Sequence, residues 1–197
     1  MNESCPYVDI HTHRPTGRGI ELRTAGIHPW EAAGASAESL LPLAPEVQAI
    51  GETGLDFVRA VPHDAQLELF RAQLGLARRY GLPVVLHCVH AFNEVMRELR
   101  ACPPRAAIFH GFIGSPQQAQ QALRAGHLLS FGVRSFRSPR TVEALRTAPL
   151  SQLFFETDDD PVPIEAVYRQ AAQLLGMPEE QLRSCTWENY KRLWPDG

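Results

Sequence analysis

The sequence predicts an α/β protein built on parallel strands, and three observations carry that expectation. Short apolar runs alternate with helix-periodic segments along the whole chain. Several of the runs, such as Pro83 to Leu86, are continuously apolar, as strands buried on both faces are. Five strand-like runs lead into side chains able to ligate a metal: His11 with His13, then Glu52, His87, His110 and Asp158.

Composition narrows the class before any motif is read. A chain of 197 residues, 44% of them hydrophobic, is long enough to bury a sizeable core, and without a linker it reads as a single domain over 1–197. The formal charge of −3 offers no bulk attraction to nucleic acid or to an anionic membrane, so a phosphate-bearing substrate has to be held locally. Cys5, Cys88, Cys102 and Cys185 lack C-x-x-C spacing, which argues for free thiols in a reducing compartment. Met1 to Ser4 lacks the regions of a signal peptide, and no apolar run reaches membrane-spanning length. The expectation is a cytoplasmic protein without a membrane partner.

The elements follow in order. Tyr7 to His13 reads as a strand whose period of two puts Asp9, His11 and His13 on one face. Arg14 to Gly19 is a Gly/Pro loop, and Ile20 to Ile27 alternates as a strand ending at His28-Pro29-Trp30. Val47 to Ile50 is a short strand running into Gly51-Glu52-Thr53-Gly54-Leu55-Asp56. His63 to Tyr80 carries Leu67, Phe70, Leu74 and Ala77 at helical spacing, with Gly81 placed as its stop. Beyond the strand closed by His87, a helix covers about 93–100, and Ala106 to Phe109 is a strand closed by His110. Ser115-Pro116 and Ser138-Pro139 each read as an N-cap followed by proline at the first helical position. Leu128 to Val133 and Leu153 to Phe155 are strands, the second leading to Glu156 and Asp158, and 164–194 holds two helices.

In (β/α) barrels the side chains that do chemistry sit at the C-terminal ends of the strands, and the ligand-type residues follow that rule. Two histidines separated by one residue can close on one ion from a rigid backbone. Mixed imidazole and carboxylate donors suit zinc, manganese or iron better than calcium. Six ligands are too many for one tetrahedral zinc, but they serve two ions that share a bridging carboxylate.

His11-Thr12-His13, Gly26-Ile27-His28-Pro29, Gly51-Glu52-Thr53-Gly54-Leu55-Asp56, Leu86-His87, His110-Gly111 and Glu156-Thr157-Asp158 together resemble the ordered signatures of the TatD family of metal-dependent, deoxyribonuclease-like hydrolases. The likeness runs nearly to Leu193-Trp194. It implies a TIM-type (β/α) barrel, two divalent ions (Zn, Mn or Mg) and hydrolysis of a phosphodiester, DNA included, by metal-activated water. It further implies that His11, His13, Glu52 and Asp158 hold one ion while Glu52, His87 and His110 hold the other. Asp158 would also take a proton. A carboxylated lysine cannot be the bridge, because Lys191 is the one lysine of the chain, and Glu52 is left for that role. Asp9 and Glu156 would orient imidazoles. His28, Arg134 and Arg137 would meet substrate, the arginines through bidentate forks.

Departures from the family bear on substrate. About a dozen residues separate His13 from Gly26, where relatives carry a helix, a strand and a helix, so the barrel should be trimmed near its N-terminus. His90 stands where an arginine is usual, and Asp159 and Asp160 extend the acidic motif toward what should be an anion. Hydrolysis of a small phosphoester or of an ester or amide bond is the nearest alternative activity; metal binding without catalysis is the other.

Overall fold

The computed structural model describes residues 5–195; the reading of Met1 to Ser4 lies outside them. In chain order the elements are β1 (Val8–Asp9), β2 (Ile20–Glu21), β3 (Thr24–Ala25), β4 (Ala49–Asp56), α1 (His63–Tyr80), β5 (Val84–Val89), α2 (Phe92–Ala101), β6 (Ala107–Phe109), α3 (Pro116–Arg124), β7 (Leu128–Phe131), α4 (Val133–Phe136), α5 (Pro139–Thr147), β8 (Leu153–Phe155), α6 (Ile164–Leu175) and α7 (Glu179–Leu193). Contacts divide the chain into two units. The terminal unit joins the residues up to Leu22 with those from His110 onward, and the central unit is Arg23–Phe109.

In the terminal unit the strand order is β2-β1-β8-β7, and every pair whose register is resolved is parallel. Parallel neighbours usually need a helical crossover, yet β1 and β2 pair, Val8 with Ile20, across a loop alone. Glu21 fastens that loop: its carboxylate accepts from Thr16 N at 2.6 Å, Thr16 Oγ1 at 2.8 Å and Gly17 N at 3.1 Å. Phe131, Phe154, Phe155 and Tyr168 fill the core, each fully buried. From α6, the Tyr168 hydroxyl donates to Val8 O at 2.9 Å and meets Thr186 Oγ1 of α7 at 2.8 Å, anchoring β1 to both helices. Ser115 forms the expected capping box with Gln118, and Ser138 accepts from Thr141 N.

The central unit has the parallel order β6-β5-β4-β3. Helix α1 spans the expected residues and stops at Gly81, whose φ of 65° a Cβ would disfavour. Of its expected stripe Phe70, Leu74 and Ala77 pack inward, while Leu67 is only half-buried and Leu69 takes the inward place, each large side chain being worth roughly 1.5–3 kcal/mol on burial. Among the described residues no α-helix lies between β1 and β4; the segment holds β2, β3 and the 3₁₀ turns Pro29–Glu31 and Ala37–Leu40. This is the expected trimming.

Four boundaries differ from expectation. The first strand, expected over Tyr7 to His13, is only Val8–Asp9, with Thr12 bridging to Asp158 beyond it. The single strand expected over 20–27 is two: Leu22 N still donates to Asp9 O at 3.4 Å, whereas Arg23 O accepts from Gln48 N at 2.8 Å. One stretch serves two partners, β1 and β4, and breaks between them. Strands β4 and β5 run on through Asp56 and Val89, so Glu52 and His87 lie within strands rather than at their ends. Gly54 permits this close pairing, since a Cβ there would stand 2.0 Å from His87 O. Finally, Val133 begins α4 instead of closing β7.

Candidate metal centre

The terminal unit gathers its donors around the end of β1. Parallel pairing of β1 with β8 continues past both strands: His13 N donates to Asp158 O at 2.9 Å and Asp158 N to His11 O at 3.0 Å. The ladder therefore seats Asp158 beside the two imidazoles, with its own backbone at φ 54°. Asp158 Oδ1 lies 3.5 Å from His13 Nε2 and 3.8 Å from His11 Nε2. Such distances exceed a hydrogen bond and approach the edge of a shell of ligands at roughly 2.1 Å from one ion. His11 is buried, while the His13 side chain is 54% exposed.

Behind this triad, His110 Nδ1 is 3.2 Å from Glu156 Oε1, and the His110 ring centroid is 4.5 Å from that of His11. Burial pushes the Glu156 carboxyl up, but His110 first, then His11 and Ser130, outweigh it and hold it below the usual carboxylate range. Its charge fixes Nδ1 as the protonated nitrogen, so a metal would take Nε2. Asp9 accepts from Thr157 N at 3.1 Å and from Thr157 Oγ1 at 2.7 Å, fastening β1 to the Glu156-Thr157-Asp158 motif. Burial raises the Asp9 carboxyl to about 7 despite those bonds.

The central unit gathers a second triad from three elements. Glu52 Oε1 lies 2.8 Å from His87 Nδ1 and 3.4 Å from His28 Nε2, the His28 and His87 rings meeting edge-on at 4.4 Å. The other nitrogen of His87 is 3.2 Å from Asp56 Oδ2. That is a carboxylate–imidazole pair of the kind that steadies a metal-binding histidine. Asp56 in turn accepts from the Trp30 indole N–H at 2.6 Å. Burial pushes the Asp56 carboxyl up, yet bonds from Trp30, Val58 and His87 prevail and leave it below its ordinary range.

In each triad the ligand atoms lie within 4.8 Å of one another, two imidazoles with one carboxylate, a donor set that fits a transition-type divalent ion. Comparison with known proteins decides the family. The model of the family described as TatD related DNase matches residues 20–195. The chain belongs to the TatD family. It is 32% identical over 192 residues to the uncharacterized metal-dependent hydrolase YabD of Bacillus subtilis, covering 86% of this chain and 75% of the relative. It is 36% identical over 169 residues to the 3'-5' ssDNA/RNA exonuclease TatD of Erwinia billingiae, covering 79% of this chain and 63% of that protein. The crystal structure of YjjV, a TatD homolog of Escherichia coli, matches with a TM-score of 0.79 at 26% identity, over 90% of this chain and 78% of that one. The fold class is thus the α/β, (β/α)-barrel type of TatD proteins, here without the early helices.

Within this TatD chain the remaining expected site residues fall as follows. Arg134 is engaged by the acidic run: it pairs with Asp159, and lies 3.7 Å from Asp158 and 3.5 Å from Asp160. One guanidinium among three carboxylates lessens, without cancelling, the repulsion expected toward an anion. Arg137 caps α4 with its side chain exposed. Sequence reasoning passed over four residues that position the site: Trp30, Asp56, Gln66 and Gln73. Asp56 had a signal, since it shares strand parity with Glu52 on β4. Gln66 and Gln73 were hidden on the apolar face of α1. Gln73 mimics a strand, accepting from Ile27 N at 2.8 Å and donating to Ile27 O at 3.0 Å, which holds the loop that presents His28. Gln66 does the same for Asp56, at 2.8 and 2.9 Å.

Proposed function

We propose that this TatD protein is a phosphodiesterase of the nuclease type, acting with two divalent ions (Zn, Mn or Mg) on single-stranded DNA or RNA. The pair of histidine–carboxylate triads carries this reading, supported by family membership and by relatives named as exonucleases and metal-dependent hydrolases. One ion is assigned to His11, His13 and Asp158. The other is assigned to Glu52, His87 and His28; the resemblance adds His110 to this second set and gives Glu52 the bridging role. When bound, the ions polarise the phosphate and bring the pKa of a coordinated water toward neutrality.

The protein's own groups supply the rest. Asp158 takes a proton from the attacking water at a carboxylate oxygen while the new P–O bond forms. The bond to the leaving oxygen breaks, that oxygen takes a proton from solvent, and Asp158 returns its proton to solvent, so the protons balance. Arg134 holds Asp158 and its acidic neighbours in place. Glu156 and Asp56 each fix one imidazole's tautomer and angle. The working unit is taken as one domain over 1–197 and its compartment as the cytoplasm; no described helix is long and apolar enough to cross a membrane.

A second reading, hydrolysis of a small phosphoester, is favoured by the charge of −3 and by the exposed His90 in the place of an arginine. One experiment separates the two. Purified protein, supplemented in turn with manganese, magnesium and zinc, is assayed on single- and double-stranded DNA, RNA, aminoacyl-tRNA and bis(p-nitrophenyl) phosphate. Cleavage of strands by the wild type and not by Glu52→Ala or Asp158→Ala supports the nuclease. Turnover of small esters alone, or of nothing, rejects it.

A further inference from the structure

We infer that Trp30 is a stacking platform for a nucleobase of the substrate strand, flanked by Arg59 as a cationic neighbour; this rests on the nuclease reading above and names how that site would hold its strand. Trp30 follows His28-Pro29 in a 3₁₀ turn and is 47% exposed, one of few large apolar side chains left in solvent. Solvent exposure of an indole is unfavourable, and an exposed side chain is normally free to rotate. This one is not. Its N–H is fixed on Asp56, a buried carboxylate, and its ring stands edge-on to His28 at 4.4 Å and to His87 at 6.1 Å. The ring is thus held at a set angle beside two members of the central donor triad.

Holding Asp56 alone would not call for an indole, since an amide side chain donates the same hydrogen bond without exposing an aromatic ring. Arg59 adds a second feature. Its guanidinium carbon lies 3.9 Å from the Trp30 ring centroid, a cation–π arrangement that stiffens the ring and puts positive charge on an acidic protein where a phosphate would pass. Proteins that hold single strands without reading their sequence pair aromatic faces for the bases with cations for the backbone. Trp30 with Arg59 has both parts, next to the donors assigned to the chemistry.

The test is equilibrium binding, so it does not depend on turnover. Fluorescence anisotropy is measured with a labelled, uncleavable phosphorothioate single-stranded decamer and with decamers carrying one abasic site at each of the last few positions. Wild type, Trp30→Ala and Trp30→Phe are compared. One stacked base is worth about one to two orders of magnitude in affinity. Trp30→Ala should therefore weaken binding about tenfold or more, and Trp30→Phe, which keeps a ring but loses the N–H, should stay within about threefold of wild type. At one abasic position wild type should fall to the level of Trp30→Ala. If Trp30→Phe loses as much as Trp30→Ala, the residue acts through Asp56 and the inference is wrong. It is equally wrong if wild type shows no sensitive abasic position, a result that needs no variant to fold. Strand binding and cleavage with an indifferent Trp30→Ala reject the platform alone. Failure of wild type to bind or cut any strand rejects the nuclease reading with it.

Discussion

The two units solve one problem in opposite ways. In the terminal unit, two of three donors stand two residues apart just past the end of β1, and backbone pairing across to Asp158 completes the set, with His13 left 54% exposed. In the central unit the three donors come from a loop and two strands, and all are half-buried, His28 being the most exposed at 22%. Pairing of β3 with β4, Ala25 with Ile50, carries the His28 loop toward Glu52, but the loop leaves the ladder there and side chains fix it: Gln73 grips Ile27, Gln66 grips Asp56, and Trp30 closes over Asp56. A triad set by backbone registry tolerates exposure, whereas one set by side chains requires buried supports. The central ion should accordingly be the slower to leave. Stepwise chelation followed by metal analysis should remove the first equivalent with loss of histidine signals from His11 and His13, and the second from His28 and His87.

Substitutions sharpen this contrast most where they remove a donor. Asp158→Ala and Glu52→Ala should each lower metal-stimulated cleavage by about a thousandfold or more, the first losing a ligand that is also the proton acceptor and the second losing a ligand proposed to serve both ions. The two should differ in metal content. Asp158→Ala is expected to keep the central ion and bind about one equivalent, while Glu52→Ala, if it bridges, should reduce both. Equal stoichiometry in the two variants would mean that Glu52 serves a single ion.

Next in size is the support behind His28. Gln73→Leu keeps the volume and apolar fit of α1 but strips Ile27 N and O of their partners, and a buried unpaired polar group costs about 1–3 kcal/mol. The expected destabilisation is about 2–4 kcal/mol by urea unfolding, accompanied by weaker binding of the central ion. The terminal counterpart is Asn189, whose amide donates to Leu150 O at 2.8 Å and Leu153 O at 2.9 Å under β8. Asn189→Leu should cost comparable stability yet leave metal binding alone, because there the ladder and not the clamp sets the donors.

Smaller again are the carboxylates that steady imidazoles. Asp56→Asn and Glu156→Gln each remove one charge and keep the shape, and such partners are typically worth 10–100-fold in metal affinity or activity. Asp56→Asn should fall toward the larger end, since Asp56 also fixes Trp30, and isothermal titration with manganese would show which end applies.

The same contrast explains what could be read from the sequence. The strand–helix alternation, the span of α1 and the capping serines are legible because period and cap chemistry are local. So was His11-Thr12-His13, where spacing alone brings two donors together. What strand parity does not encode is side chains bonding to distant backbone. Helical spacing gives Gln66 and Gln73 no role on α1, although their amides are what hold the loops. Trp30 could be placed only at the end of the strand expected over 20–27, because its partner, Asp56, lies 26 positions away. The break between β2 and β3 was likewise invisible, as alternation continues smoothly across a point where the hydrogen-bonding partner changes.

The smallest expected effect separates the units by pH. Helices α1 and α2 are clipped together by Glu98, a buried carboxylate that accepts from Arg71 Nε at 2.8 Å and Nη2 at 2.9 Å and also meets Arg97 at 3.1 Å. Arg71, ahead of the opposing effect of burial, holds the Glu98 carboxyl below its usual value. A carboxyl depressed in the folded state stabilises fully above its unfolded pKa and loses that contribution as pH falls through the folded one. Stabilisation should thus be complete at neutral pH and fade below about pH 4.5. Both arginines are half-exposed, so screening holds the contribution to about 1 kcal/mol. In the terminal unit α6 and α7 meet through neutral Tyr168 and Thr186 and through a long, more exposed ion pair, Arg169 with Glu179 at 4.0 Å, so the dependence there is weaker. Hydrogen exchange should therefore show α1 and α2 losing protection before α6 and α7 as pH is lowered from 7 toward 3.5. Glu98→Gln should abolish the difference by weakening the central helices already at pH 7. Uniform loss in both units, unchanged by Glu98→Gln, would mean that a titrating group shared by the whole fold, and not this clip, governs acid sensitivity.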